Sequence, residues 1–320
     1  LITELITSYR KSAAIYAFVD TGLSFNFKDN TYISISELSY KYGIDRSRLS
    51  RLCDFLIEIG VLVNSSLGVK LSDACRSLAD PESLESLWIK CELGSAYWKS
   101  WLMYSNSLLK NDGKSAFEKT HDQSFFEYLE NNELLKSNFD TLMSRITDEI
   151  IHELVDIYDF NKNNRILDIG GGKGNLLKGI SKKVIGKHYA VLDKYKEIPA
   201  SENINFISGD FLKSIPSGYD LYILKNIIHD WPDNDAILIL KNCRKVMDKR
   251  STLLLIDSIK TPQSPIGKSL DILMDILFLG QERYLSEFEH LANQAGLVIK
   301  KTENMSVSKS IIILEANNEL

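Results

Sequence analysis

At 320 residues, with 44% hydrophobic and 25% charged residues, the chain has a globular composition and enough length for two domains. A formal net charge of -5 gives no electrostatic reason to expect nucleic acid or an anionic membrane as a partner. No apolar run is long enough to span a bilayer, and Glu4, Arg10 and Lys11 interrupt any signal-peptide core. The four cysteines, Cys53, Cys75, Cys91 and Cys243, stand far apart with no C-x-x-C pair. That spacing argues against zinc and against a disulfide scaffold, and it matches a reducing cytoplasm.

Residues 1–150 read as mainly helical, with the cadence of a winged helix over residues 34–72. Ser34 with Glu37 makes a capping box, and Gly43 ends that short helix. Asp45 can cap a second helix with the apolar stripe Leu49, Leu52, Leu56 and Ile59, which Gly60 terminates. Val61–Val63 and Val69–Leu71 then read as a two-stranded wing. A winged helix suggests DNA, but Asp45, Asp54 and Glu58 offset Arg46, Arg48 and Arg51, so no basic field forms. A structural or dimerising role is the better expectation. Farther along, Trp88, Tyr97, Trp98 and Trp101, and then Phe125, Phe126 and Tyr128, are rings suited to helix core, a dimer interface or a substrate-pocket wall. His152-Glu153 opens like a zinc-protease helix, but Asp156 stands where the second histidine belongs, so no metal site is expected.

From about Asn163 the pattern changes, and the domain boundary is expected near residue 150, giving domains 1–150 and 151–320. Arg165–Ile169, Tyr189–Leu192, Ile204–Ile207, Leu221–Leu224 and Leu253–Ile256 are short apolar runs separated by polar or helical stretches. They predict a parallel sheet covered on both faces, completed by strands near Leu297–Lys301 and Ile311–Leu314. The first strand runs straight into Gly170-Gly171-Gly172-Lys173-Gly174, where a backbone without Cβ atoms can turn sharply and admit a ligand. Asp193 ends the second strand, at the place of a carboxylate that grips ribose hydroxyls. The third leads to Ser208-Gly209-Asp210-Phe211, an acid to accept from an exocyclic amine beside a ring to pack on a purine. Taken in order at successive strand ends, these residues describe an adenosine site.

In its motifs the chain resembles the class I S-adenosylmethionine-dependent O-methyltransferases of the two-domain small-molecule type. That family includes caffeic acid, isoflavone and hydroxyindole O-methyltransferases and antibiotic-tailoring enzymes. The matching segments are Leu167-Asp168-Ile169-Gly170-Gly171-Gly172-Lys173-Gly174, Ser208-Gly209-Asp210-Phe211, Leu224-Lys225-Asn226-Ile227-Ile228-His229-Asp230-Trp231 and Gly280-Gln281-Glu282-Arg283. The resemblance extends over essentially the whole chain. It implies an α/β fold: a Rossmann-like methyltransferase domain with a mostly parallel seven-stranded sheet, preceded by a mainly α-helical winged-helix dimerisation domain that also caps the substrate. It implies that the segment of Asp168, Gly170, Gly171 and Gly172 holds the methionine part of S-adenosylmethionine. Asp193 would bind the ribose, Asp210 and Phe211 would flank the adenine, and Lys225 would also contact the cofactor. A homodimer, and a hydroxylated small molecule as acceptor, are expected on the same ground.

Methyl transfer from a sulfonium needs in-line positioning and removal of the acceptor's proton. A phenol with a pKa of about 10 is a poor nucleophile at neutral pH, and a histidine can take its proton as the methyl moves. His229, following the fourth strand, matches the family's catalytic base. Glu282 matches one of two acids that orient the imidazole. At the other, where the family usually has Glu, Asp257 stands here and is shorter by about 1.5 Å. Met143, Met274 and Phe278 fall where the family lines its acceptor pocket. A same-fold enzyme repurposed for hydroxylation, decarboxylation or a pericyclic step is the alternative. A DNA-binding regulator fits the balanced charge less well.

Overall fold

In the computed structural model the chain begins with α1 (Ile2–Asp20), which buries Phe18 and Val19 near its end. The structure describes residues 1–110, 112–194, 201–262, 265–306 and 309–317, with the backbone alone at 265 and 266. The side chain of Ser34 accepts the Glu37 N–H and starts α2 (Ile35–Tyr42), which ends at Gly43 with φ 62°. Asp45 accepts the Arg48 N–H and starts α3 (Arg46–Glu58). Each such cap is worth about 1 kcal/mol, because it satisfies a backbone donor that the helix itself cannot. Of the expected α3 stripe, Leu49 and Leu56 are buried, joined by Cys53, while Leu52 and Ile59 pack at the margin. The wing follows as β1 (Leu62–Ser65) and β2 (Gly68–Leu71), antiparallel with Leu62 opposite Leu71. Helix α4 (Leu84–Glu92) is capped by Ser83.

Next come α5 (Ser95–Leu109), α6 (Ala116–His121), α7 (Phe125–Glu130) and the long α8 (Glu133–Ile157). The chain forms two compact units, Leu1–Lys99 with Leu129–Arg145, and Ser100–Tyr128 with Ile146–Leu320. A single boundary near residue 150 was expected; the chain instead passes between units within α5, α7 and α8. An unbroken helix carries no Pro, Gly or charge run to mark such a crossing, so composition gives no cue there.

The second unit is built on the strands β3 (Arg165–Ile169), β4 (His188–Asp193), β5 (Ile204–Ser208), β6 (Leu221–Lys225), β7 (Thr252–Asp257), β8 (Leu297–Asn304) and β9 (Ser310–Ala316). They form a seven-stranded sheet in the order β5-β4-β3-β6-β7-β9-β8. The strands from β5 to β7 are parallel, and β9 pairs antiparallel with both β7 and β8. Successive side chains feed opposite cores: Leu167, Tyr222, Leu224, Leu253 and Leu255 face one, and Ile166, Ile223, Leu254 and Ile256 the other. Burial of both faces is why these strands read as continuous apolar runs rather than alternating ones. The helices α9 (Asn175–Ser181), α10 (Asp233–Val246), α11 (Pro265–Phe278) and α12 (Leu285–Gln294) complete the unit. Strand order reverses between β3 and β6, and the carboxyl ends at such a switch point are where open α/β sheets take their ligands. The glycine loop leaves β3 there, and the His229 turn leaves β6 beside it.

Candidate active site

Gly170 leaves β3 with φ +71°, and a Cβ on it would lie 2.5 Å from Ile227 and 3.5 Å from the Phe211 ring. Only glycine fits. At Gly172, with φ +53°, a Cβ would meet nothing within 4 Å, so the loop backbone fronts open space. The Gly172 N–H donates to Oδ2 of Asp193 at 2.7 Å, which ties the loop to the end of β4. Asp210 accepts the Leu212 N–H at 3.0 Å and lies 3.2 Å from the Lys194 ammonium. Phe211 stands edge-on to Trp231 at 6.0 Å. Its turn is held by the buried Asn242, whose amide donates to the carbonyls of Phe211 and Leu212.

A cradle without Cβ atoms, a carboxylate at the end of β4, and an acid and ring after β5 have the chemistry that an adenosine-bearing sulfonium needs. The residues present therefore fit S-adenosylmethionine. Beneath the loop, burial pushes Asp168 up to about 7, with Lys225 opposing the rise and Asp193 adding to it. Burial pulls Lys225 down to about 8; Lys309 adds to the fall, while Asp168 and Asp257 oppose it.

His229 sits on a short 3-10 turn, Ile228–Asp230, directly after β6, and is buried. Its Nδ1 is 2.8 Å from Oε1 of the fully buried Glu282. A carboxylate only accepts, so Nδ1 carries a proton, and in the neutral ring it is Nε2 that holds the lone pair able to take a proton from the methyl acceptor. Asp257 comes no closer than 3.5 Å to Nδ1, and neither of its buried oxygens has a hydrogen-bond partner. The short side chain thus acts on His229 through charge and not through a hydrogen bond. Asp230, adjacent in sequence, brings its carboxylate to 3.5 Å from Nε2. Burial alone would lower the His229 pKa, but the charges of Asp257, Asp230 and Glu282 outweigh it and raise the pKa to about 9. Burial pushes Asp230 itself up to about 7, against the pull of His229.

Helix α11 packs on the His229 turn. It carries the buried Met274 and ends at Phe278, whose ring stacks on Phe126 at 5.5 Å and meets Phe125 edge-on at 5.2 Å. The aromatic pair read from the sequence as core, interface or pocket wall thus lies against a residue expected to line the acceptor pocket. Met143 belongs to the other unit. Sequence reasoning missed Asp230, Asn242 and Arg283; a lone Arg after Gln281-Glu282 was the one visible signal for the last. His152 lies 2.6 Å from the Lys183 ammonium, and Glu153 accepts from Ser306. Among the described residues no group of three or more His, Cys, Asp or Glu is arranged to hold a metal ion, and no helix is long and apolar enough to cross a membrane.

A glycine loop at the sheet's switch point, with a histidine and a carboxylate beside it, is the arrangement of an α/β enzyme that works on an adenosine-type cofactor. The family model for the O-methyltransferase domain matches residues 101–298, and the chain belongs to that family. It is an S-adenosylmethionine-dependent O-methyltransferase. The chain is 27% identical to a phenazine O-methyltransferase of Lysobacter antibioticus, over 99% of this chain and 95% of the relative. The solved structure of a mitomycin 7-O-methyltransferase matches with a TM-score of 0.90 at 22% identity, over 98% of this chain and 96% of that one. An O-methyltransferase from neocarzinostatin biosynthesis, solved with S-adenosylmethionine and 2-hydroxy-5-methyl naphthoic acid, matches with a TM-score of 0.83 at 24% identity, over 96% of each chain. At those identities the two structures support the fold.

Proposed function

We propose that the protein methylates a hydroxyl on a small aromatic or polyketide-like molecule, with His229 as the general base. The observation that carries this reading is the 2.8 Å contact between His229 Nδ1 and Glu282 at the carboxyl edge of β6. It leaves Nε2 to receive the acceptor's proton. When bound, S-adenosylmethionine supplies the methyl group. In this reading Asp193 takes the ribose hydroxyls, Asp210 and Phe211 flank the adenine, and the loop from Asp168 through Gly172, with Lys225, faces the methionine part. Met274 and Phe278, with Phe125 and Phe126 behind them, offer flat apolar surface to a planar acceptor. The phenazine and naphthoic acid named for the relatives are acceptors of that shape. Glu282 holds the ring and, with Asp257, stabilises the imidazolium that forms.

The carboxylates around His229 have a kinetic signature. They raise its basicity toward that of a phenol, so proton transfer is close to balanced, but they also keep the ring protonated at neutral pH. With a phenol acceptor, kcat/KM should climb about tenfold per pH unit and level off near the His229 pKa of about 9. Glu282→Gln removes a charge that favours imidazolium, so the same rise should level off at lower pH, with the acceptor's own pKa unchanged. Stopped assays from pH 6 to 10 would show it. A profile that does not move in Glu282→Gln would remove His229 from the titration.

We further propose that the protein works as a homodimer. Along α1, Ile2, Leu5, Ile6 and Tyr9 are exposed, an apolar surface that a second copy would cover. Light scattering at micromolar concentration should give twice the chain mass; a stable monomer would overturn the proposal.

A further inference from the structure

Arg283 is fully buried, and all its hydrogen bonds run to protein backbone and to Asp233. Its guanidinium reaches both flanks of the base turn at once. Nη1 donates to the Ile228 carbonyl at 2.9 Å, and Nη2 donates to the Trp231 carbonyl at 2.8 Å. Nη2 and Nε also meet Oδ1 of Asp233, at the start of α10, at 2.8 and 3.1 Å. Nη1 makes a longer bond of 3.4 Å to the carbonyl of Gln281. Beside it the two backbones touch: the Gln281 N–H donates to the His229 carbonyl at 2.9 Å, and a Cβ on Gly280 would lie 2.1 Å from that oxygen.

We infer that Arg283 is a positioning residue for the methyl transfer, a fork that fixes the His229 turn against Glu282. The inference rests on His229 being the base. Burying a cation is expensive, and a well-packed apolar side chain of similar size often stabilises a core as well. What an apolar residue, or lysine, cannot supply is several donors in a rigid plane that span the carbonyls flanking His229 and Asp230. That geometry holds Nδ1 on Glu282 and therefore aims Nε2. Gly280 serves the same end by allowing the backbone approach.

The test compares two acceptors, a phenol that is neutral at assay pH and a nitrophenol that is already ionised. Arg283→Lys should lose on the order of 10–100-fold in kcat on the neutral phenol, the effect of a misplaced base. It should lose only a few-fold on the ionised one, with S-adenosylmethionine affinity unchanged by calorimetry. Asp233→Asn, at a half-exposed position that folding tolerates better, should show the same selectivity with a smaller loss. Added guanidinium should restore part of the rate to Arg283→Ala. Equal losses on both acceptors would make Arg283 a structural strut and overturn the inference, provided His229→Ala remains selective. If His229→Ala also loses equally on both, the base reading fails and takes this inference with it.

Discussion

His229→Ala should lower methyl transfer to a neutral phenol by about 10²–10⁴-fold, the usual contribution of a positioned base. The affinity for S-adenosylmethionine should stay nearly unchanged, because the imidazole is held by Glu282 and bounded by Asp230 and Asp257, away from the β4 and β5 ends. The loss should shrink for acceptors ionised at assay pH, since these need no base. Glu282→Gln should cost less than removal of the ring, as it weakens orientation and imidazolium stabilisation and leaves Nε2 in place. Initial rates with both acceptor types, together with calorimetry, check all of this. Wild-type turnover of a neutral phenol by His229→Ala would leave positioning as the sole source of rate.

Asp193→Ala should weaken S-adenosylmethionine binding by about 1–3 kcal/mol, or roughly 5–150-fold in Kd. Two effects act together. The variant loses a carboxylate able to accept from two ribose hydroxyls, and it releases the Gly172 N–H that Asp193 now holds at 2.7 Å. Asp193→Asn keeps one acceptor oxygen and should fall between the two. Calorimetry on the three proteins measures the ordering. Equal affinities would mean that neither the carboxylate nor its tie to the glycine loop contributes to cofactor binding.

Much of the fold was legible because both faces of the sheet are buried. Runs such as Leu221–Leu224 and Leu253–Ile256 have no polar face to confuse them with an amphipathic helix, and these two strands formed within a residue of expectation. The helices α2 and α3 were equally readable, since Ser34, Gly43 and Asp45 act through neighbours a few residues away. What escaped depends on residues distant in sequence. Arg283 finds its acceptors at Ile228, Trp231 and Asp233, some fifty positions earlier, and no local pattern announces that. Asp230 was passed over for the opposite reason. It adjoins His229, and only the tight turn Ile228–Asp230 folds its carboxylate back toward Nε2. The shortness of Asp257 was visible, and its consequence, a 3.5 Å approach without a hydrogen bond, follows from the missing methylene.

O-methylation is tested by following the methyl group itself. The protein is incubated with methyl-labelled S-adenosylmethionine and a panel of hydroxylated phenazines, naphthoic acids and simple phenols, and the products are analysed by mass spectrometry. Label is expected on an acceptor oxygen, with one S-adenosylhomocysteine formed per methyl transferred. An acceptor that is hydroxylated, decarboxylated or rearranged while the labelled cofactor remains intact would contradict O-methylation.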